Sequence, residues 1–219
     1  LTNISKTFEA SKKLKVIKNL SYTFNKGKIY SLMGPSGSGK STLLNLISLI
    51  DNPSNGSIKF NDHEINYTEK EEKDKFRAKK IGIVYQQNNL LPDFTSLENI
   101  YLASLSINND KNLAVSKAKQ LLKKIGLSNR ADHYPSQLSG GEAQRIAIAR
   151  AIINDPEIIL ADEPTGSLDM KTAKIIFNLL KDQKRSDRLI IFATHNRFFG
   201  NKADCLLEIL DGNIKSSNG

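Results

Sequence analysis

One stretch constrains this chain more than any other: KIYSLMGPSGSGKSTLLNLISLI, Lys28 to Ile50. A short β-prone run, KIYSLM (Lys28–Met33), enters a glycine-rich turn. An apolar-periodic run, Lys40–Ile50, leaves it as a helix and ends at the turn cluster DNPSNG. Strand, tight turn and helix form the repeating unit of a parallel α/β sheet. Gly34-Pro35-Ser36-Gly37-Ser38-Gly39-Lys40-Ser41 also satisfies G-x-x-x-x-G-K-[ST] in full, between the strand and helix that motif requires. Glycines let the backbone aim several N–H groups at one anion, and the helix N-terminus adds partial positive charge. In such a loop Lys40 reaches the β- and γ-phosphates and the Ser41 hydroxyl binds Mg²⁺. A glycine turn without a ligand is the plainer alternative, and the flanking elements argue against it.

The rest of the chain repeats the α/β theme and then departs from it. SIKFND (Ser57–Asp62) and IGIVYQ (Ile81–Gln86) read as strands. Between them, EKEEKDKFRAKK (Glu69–Lys80) reads as a solvated helix, pairing Glu69 with Lys73 and Glu71 with Lys75 at i,i+4. Ser96–Ser106 and Leu113–Ile125 have helical patterns, the second stopped by Gly126. EIILADEP and LIIFATH give continuous apolar strands at Ile158–Ala161 and Leu189–His195. Strands that are apolar throughout must be covered on both faces, as in a parallel sheet. The stretch 86–153 carries only helical patterns. An α-helical subdomain inserted into an α/β core (1–85 and 154–219) is therefore expected.

IILADE leaves Asp162 and Glu163 at the C-terminal end of a buried strand, the edge where open α/β sheets bind ligands. One carboxylate there can hold Mg²⁺, directly or through water. The next can polarise an attacking water, help worth about 10²–10⁴ in rate. His195 ends a parallel strand and reaches the same edge. Capping by surface acids and a structural histidine are the plainer alternatives, and proximity to the phosphate loop favours chemistry.

A second glycine motif, LSGGEAQR (Leu138–Arg145), opens the helix that runs to Ile153. S-x-x-E before an apolar run is a capping box, with Ser139 as cap and Glu142 reaching back. That box does not explain Gly140 and Gly141, because glycine is poor in a first helical turn. Glycines belong where a ligand approaches the backbone closely. The pattern suggests a second anion contact.

These residues together resemble the nucleotide-binding subunits of ATP-binding cassette (ABC) transporters, whose signature is LSGGE. The resemblance covers essentially the whole chain. It implies a RecA-like P-loop NTPase core with a mixed, largely parallel sheet, an N-terminal antiparallel β subdomain and the inserted helical subdomain. It implies ATP and Mg²⁺ as ligands. Phe8 matches the aromatic that stacks on adenine, and Gly34 to Thr42 (Gly34, Pro35, Ser36, Gly37, Ser38, Gly39, Lys40, Ser41, Thr42) match the phosphate loop. Gln86 matches the glutamine that senses Mg²⁺ and the attacking water. Asp162 matches the Mg²⁺-linked aspartate, Glu163 the catalytic base and His195 the γ-phosphate switch. Ser167-Leu168-Asp169 match the loop that crosses to a second subunit. Ser139, Gly140 and Gly141 match residues that face the ATP of the other subunit in a head-to-tail dimer.

ADEPTGSLD and LLPDFTSLENI (Leu90–Ile100) are most similar to the group containing lipoprotein-releasing, macrolide-export and cell-division ATPases, with YQQNNLLPDFTSLEN nearest the lipoprotein-releasing type. That segment follows Gln86, where the family contacts integral membrane permease subunits. The implied place is peripheral, on the cytoplasmic face of the bacterial inner membrane. Ala143 departs from the family pattern, where a long polar residue is common. Asn196 departs too, where aspartate follows the histidine.

Composition narrows the alternatives. Of 219 residues, 39% are hydrophobic and 25% charged, ordinary for a globular domain. The net charge of +9 fits either an anionic partner or a lysine-rich solvated surface, and the second is preferred. No basic–aromatic interleaving marks a nucleic-acid groove, so no nucleic-acid partner is expected. A single cysteine, Cys205, excludes an internal disulfide and reads as core; His63 and His133 read as surface residues. No apolar run is long enough to cross a bilayer. LTNISKTF lacks the pattern of a signal peptide, and because the first residue is Leu1, residues ahead of it are expected. DNA-repair relatives insert long coiled coils between the phosphate loop and the signature, yet only about a hundred residues separate Gly39 from Ser139. Relatives that act on ribosomes usually carry two cassettes, and a solitary P-loop kinase would not carry LSGGE.

Overall fold

The computed structural model describes residues 1–9, 13–61 and 63–217. In chain order, β1 (Thr2–Glu9) and β2 (Lys13–Leu20) precede β3 (Ile29–Met33) and α1 (Lys40–Ile47). The short strands β4 (Asn55–Ser57), β5 (Lys59–Phe60) and β6 (His63–Glu64) lead to α2 (Lys70–Lys80) and β7 (Ile81–Val84). Three helices follow: α3 (Ser96–Leu105), α4 (Lys111–Lys124) and α5 (Gly140–Ile152). The chain then alternates β8 (Ile158–Asp162), α6 (Met170–Lys181), β9 (Leu189–Ala193) and α7 (Arg197–Gly200), and closes with β10 (Cys205–Leu210) and β11 (Asn213–Ser217).

The central sheet has the order β11-β10-β3-β9-β8-β7. All its pairings are parallel except β10–β11, so the sheet is mixed and largely parallel, as expected. Its inner strands serve two cores at once. Ile158, Leu160 and Ile191 point into a core shared with Leu43 and Leu46 of α1. Ile159, Ala161, Ile190 and Phe192 point into a second core with Ile176 and Phe177 of α6. This is the physical reason those strands read as unbroken apolar runs. Truncating a side chain as enclosed as Leu43 would cost about 2–5 kcal/mol.

A separate antiparallel sheet, β2-β1-β4, lies at the N-terminal end, with register shifts along β1. A third core gathers Ile100 of α3, Ala118 and Leu122 of α4 and Ile146, Ala149 and Ile153 at α5. Helix α5 serves two cores, because Ile148 and Ile152 on its other flank pack against the sheet.

Several local expectations differ from the structure. Strand β7 ends at Val84 rather than Gln86 and β9 at Ala193 rather than His195, so both residues lie just past the strand ends. The helix from Lys40 ends at Ile47 rather than Ile50, because Leu49 takes a left-handed φ of 62°. Ser57–Phe60 is not one strand: the chain leaves one sheet at Ser57 and joins the hairpin β5–β6, while Asp62 lies outside the described residues. The Glu69–Lys73 pair gives way to other bonds, Lys73 donating to Asn52 and Glu69 accepting from Asn66. Glu71–Lys75 is present at 3.9 Å between exposed side chains, an arrangement worth only a few tenths of a kcal/mol.

Candidate nucleotide site

The phosphate loop joins the end of β3 to α1 at the C-terminal edge of the sheet. Helix α1 starts without a side-chain cap and without an acid in its first turn. Its first N–H groups, which a helix cannot satisfy internally, therefore face the loop. Gly39, just before the helix, has a φ of 103°, and a Cβ there would stand 2.9 Å from Ile17 of β2. Only glycine fits both the backbone angle and the close approach. The Lys40 side chain is almost fully buried and folds back over the loop, its Nζ donating to Gly34 O at 2.8 Å and Pro35 O at 3.0 Å.

Strand β8 delivers Asp162, and Glu163 follows with a left-handed φ of 44°. That conformation costs a non-glycine residue on the order of 1 kcal/mol or more. It is held on both sides: Glu163 N donates to Ala193 O and Gly166 N donates to Glu163 O, each at 3.0 Å. The Glu163 side chain is 13% exposed, and its Oε1 lies 2.9 Å from Nδ1 of His195, which β9 delivers. Asp162 Oδ1, Glu163 Oε2 and Ser38 Oγ are buried with no hydrogen-bond partner among the described residues. Buried carboxylate oxygens without donors are costly. Two of them beside a phosphate loop fit a hard, oxygen-seeking cation and a water.

Most residues expected at the site line one cleft of about 680 Å³; Ser38 and Asp162 are not among its lining. Phe8, Ser36, Gly37, Gly39, Lys40, Ser41, Thr42, Gln86, Glu163 and His195 all border it. Gly34 and Pro35 border a neighbouring hollow that shares His195. Phe8 is 41% exposed, with Lys6 Nζ 5.1 Å from its ring centre. Leu14 and Val16 of β2 extend the apolar wall beside Phe8. Sequence reasoning missed both; alternation along KLKVIKNL was the available signal.

Ser139, Gly140, Gly141 and Asp169 are not among the residues lining that cleft. Ser139 caps α5: its Oγ accepts from Glu142 N at 3.3 Å, while its N and Oγ both donate to Glu142 Oε2 at 2.8 Å. Glu142 Oε1 accepts from Arg130 Nε at 2.8 Å. The Arg130 bond and then the Ser139 bonds hold the Glu142 carboxyl at about 2, well below its ordinary value. The two glycines differ. Gly141 is buried, and a Cβ there would collide with the Thr172 side chain of α6. A Cβ on Gly140 would reach only Leu168, at an ordinary 3.5 Å. Packing accounts for Gly141 and leaves Gly140 to another cause. Asp169 caps α6, accepting from Lys171 N at 2.9 Å and Thr172 N at 3.0 Å.

Gln86 follows β7 and is exposed at the cleft. The strand end before it is fixed by the buried Gln144, whose Nε2 donates to Tyr85 O at 3.0 Å. Arg150 donates to Asn88 O and Asn89 O, each at 2.7 Å. Asn196, one of the two departures from the family pattern, caps α7 by accepting from Phe198 N at 2.9 Å, as an aspartate would.

The family model described as ABC transporter matches residues 17–166. The chain belongs to the ABC transporter family. It is 44% identical over 211 residues to the lipoprotein-releasing system ATP-binding protein LolD of Ehrlichia canis, covering 95% of this chain and 93% of that one. It is 42% identical to LolD of Wigglesworthia glossinidia brevipalpis, covering 99% and 95%. It is also 40% identical to an uncharacterized ABC transporter ATP-binding protein of Methanocaldococcus jannaschii, covering 90% and 88%. Among solved structures, the ATP-binding cassette MJ0796 in a dimeric post-hydrolysis state bound to ADP and Pi superposes with a TM-score of 0.91. Identity there is 36%, and coverage is 100% of this chain and 98% of that one. The family and the architecture make this chain an ATPase with the P-loop NTPase fold. Among the described residues, no helix is long and apolar enough to cross a membrane.

Proposed function

We propose that this chain is the ATP-hydrolysing subunit of a lipoprotein-releasing transporter and works as a head-to-tail pair. One observation carries the pairing: the phosphate loop, Glu163 and His195 share a cleft, while the Ser139 helix start lies outside it with Gly140 unexplained by packing. A second copy turned head to tail would bring Ser139, Gly140 and Gly141 against the nucleotide in the first copy's cleft. The Asp169 loop would cross with them.

Within the cleft, the N–H groups of the loop and α1 bind the triphosphate. Lys40 pairs with its β- and γ-phosphates, and Phe8 stacks on the base. Ser41, Gln86 and Asp162 would hold Mg²⁺, which supplies charge neutralisation for the phosphates when bound. Glu163 orients a water and takes its proton as the water attacks the γ-phosphate; the bond from that phosphorus to the β–γ bridging oxygen breaks, and ADP and phosphate are the products. His195, held by Glu163, contacts that phosphate. Closure on ATP and reopening after hydrolysis would drive permease subunits docked beside the loop after Gln86, at the cytoplasmic face of the inner membrane.

Lipoprotein release is supported by the identity to LolD proteins across nearly the whole chain. Isolation from membranes with its permeases tests it. Permease subunits with a large periplasmic domain are expected; subunits typical of a solute importer would contradict it. Specific ATPase activity should rise with protein concentration, and a constant value would contradict the pairing.

A further inference from the structure

The start of α5 poses an electrostatic problem. Its N–H groups and dipole favour an anion, and under the reading above a triphosphate approaches there. Yet the same turn carries Glu142, and Asp169 stands close by, next to Leu168, which reaches Gly140. An uncompensated carboxylate beside an incoming phosphate repels it at contact distances. Asp169 turns its charge onto the N–H groups of its own helix. Glu142 has Ser139 on one oxygen and a single cation, Arg130, on the other among the described residues.

Arg130 is itself fixed. It closes the short turn Ser128–Arg130, and its Nη1 lies 3.3 Å from His133 Nε2. The next carbonyls are tied to the start of α3: Leu97 N donates to Ala131 O at 2.9 Å and Ser96 N donates to His133 O at 2.8 Å. Asn99, one turn further and buried, accepts from Leu91 N at 2.7 Å and donates to Phe94 O at 2.9 Å. The guanidinium therefore rides on a segment bonded to the start of α3, which Asn99 in turn ties to the loop that follows Gln86.

We infer that Arg130 is a positioning residue for the second half of the ATP site: it neutralises Glu142 and so releases the Ser139 hydroxyl to a phosphate. The inference rests on the proposed role of Ser139. A serine hydroxyl has one proton, and Ser139 directs it at Glu142 Oε2. When that proton turns to a phosphate oxygen, Glu142 keeps the Ser139 N–H and the Arg130 Nε. Without Arg130, Glu142 would hold the hydroxyl more tightly and face the phosphate as an uncompensated charge.

The test uses the full chain carrying Glu163→Gln, with Mg-ATP as probe and sedimentation velocity as readout. Adding Arg130→Gln is expected to weaken ATP-dependent association about tenfold. Nucleotide affinity of the single chain, measured at dilution, should stay within about twofold, since Arg130 borders no part of the cleft. Adding Glu142→Gln to Arg130→Gln should restore most of the association, and Arg130→Lys should fall between the two. If Arg130 were only a structural tie, the double variant would be as weak as Arg130→Gln. That result, or unchanged association in Arg130→Gln, overturns the inference and leaves the role of Ser139 standing. A Glu163→Gln chain that stays monomeric at saturating Mg-ATP overturns the role of Ser139, and the inference with it.

Discussion

The chain starts two helices with serine and glycine, and they are opposites. Helix α1 opens without a cap, behind a glycine that only glycine could replace, with Lys40 folded over the loop. Helix α5 opens fully capped, its serine and glutamate bonded to each other and its glutamate bonded to Arg130. Under the proposed function, the first is a receptacle with its helix start left open, and the second is complete as a piece of helix and half of a site. Similar residue types thus support different jobs, and what separates them is whether local side chains already occupy the helix N-terminus.

Several substitutions would break or sharpen that contrast. Lys40→Ala should lower ATPase activity on the order of 10³-fold, measured by phosphate release, because it removes a preorganised charge from the phosphate cradle. An effect below tenfold would mean that α1 is not the receptacle. Gly141→Ala should destabilise the fold by about 1–3 kcal/mol in urea titrations, since its Cβ would meet Thr172, which is anchored to Asp169. Gly140→Ala should leave stability unchanged or slightly higher, because alanine is the better helix former, yet lower the ATPase. Equal loss of stability in both variants would erase the distinction between the packing glycine and the site glycine.

Ser139→Ala should cost about 1 kcal/mol of stability through loss of the cap. A smaller effect concerns pH. The Glu142 carboxyl is held at about 2, down from 4.5. Its bonds therefore stabilise the fold fully above about 4.5 and fade as pH falls from there toward 2. Glu142→Gln should flatten the urea midpoint between pH 5 and pH 3 relative to the parent chain, with other acids contributing equally to both. An unchanged slope would mean that Glu142 is not bonded as described.

The sequence made much of this legible where local rules and global fold agree. The loop at Gly34–Ser41, the doubly buried strands and the S-x-x-E box each follow from patterns spanning a few residues. It failed where the deciding partner is distant. The i,i+4 pattern gave Glu69 to Lys73, but Asn52 and Asn66 take those groups. Gly141 looked like part of an anion site until Thr172, on another helix, supplied a packing reason. Arg130 carries no motif, and Gln144 lies in LSGGEAQR with no local pattern naming its partner; their roles come only from the fold bringing Glu142 and Tyr85 beside them.

Mixing two inactive variants tests most directly whether each ATP site is shared between chains. Lys40→Ala spoils the loop of its own chain, and a bulky residue at Gly140 spoils the signature of its own chain. In a head-to-tail pair, the mixed dimer keeps one intact site, built from the loop of one chain and the signature of the other. An equimolar mixture is expected to regain about a quarter of the parent ATPase activity if dimers form at random. A mixture no more active than its separate components would contradict a shared site.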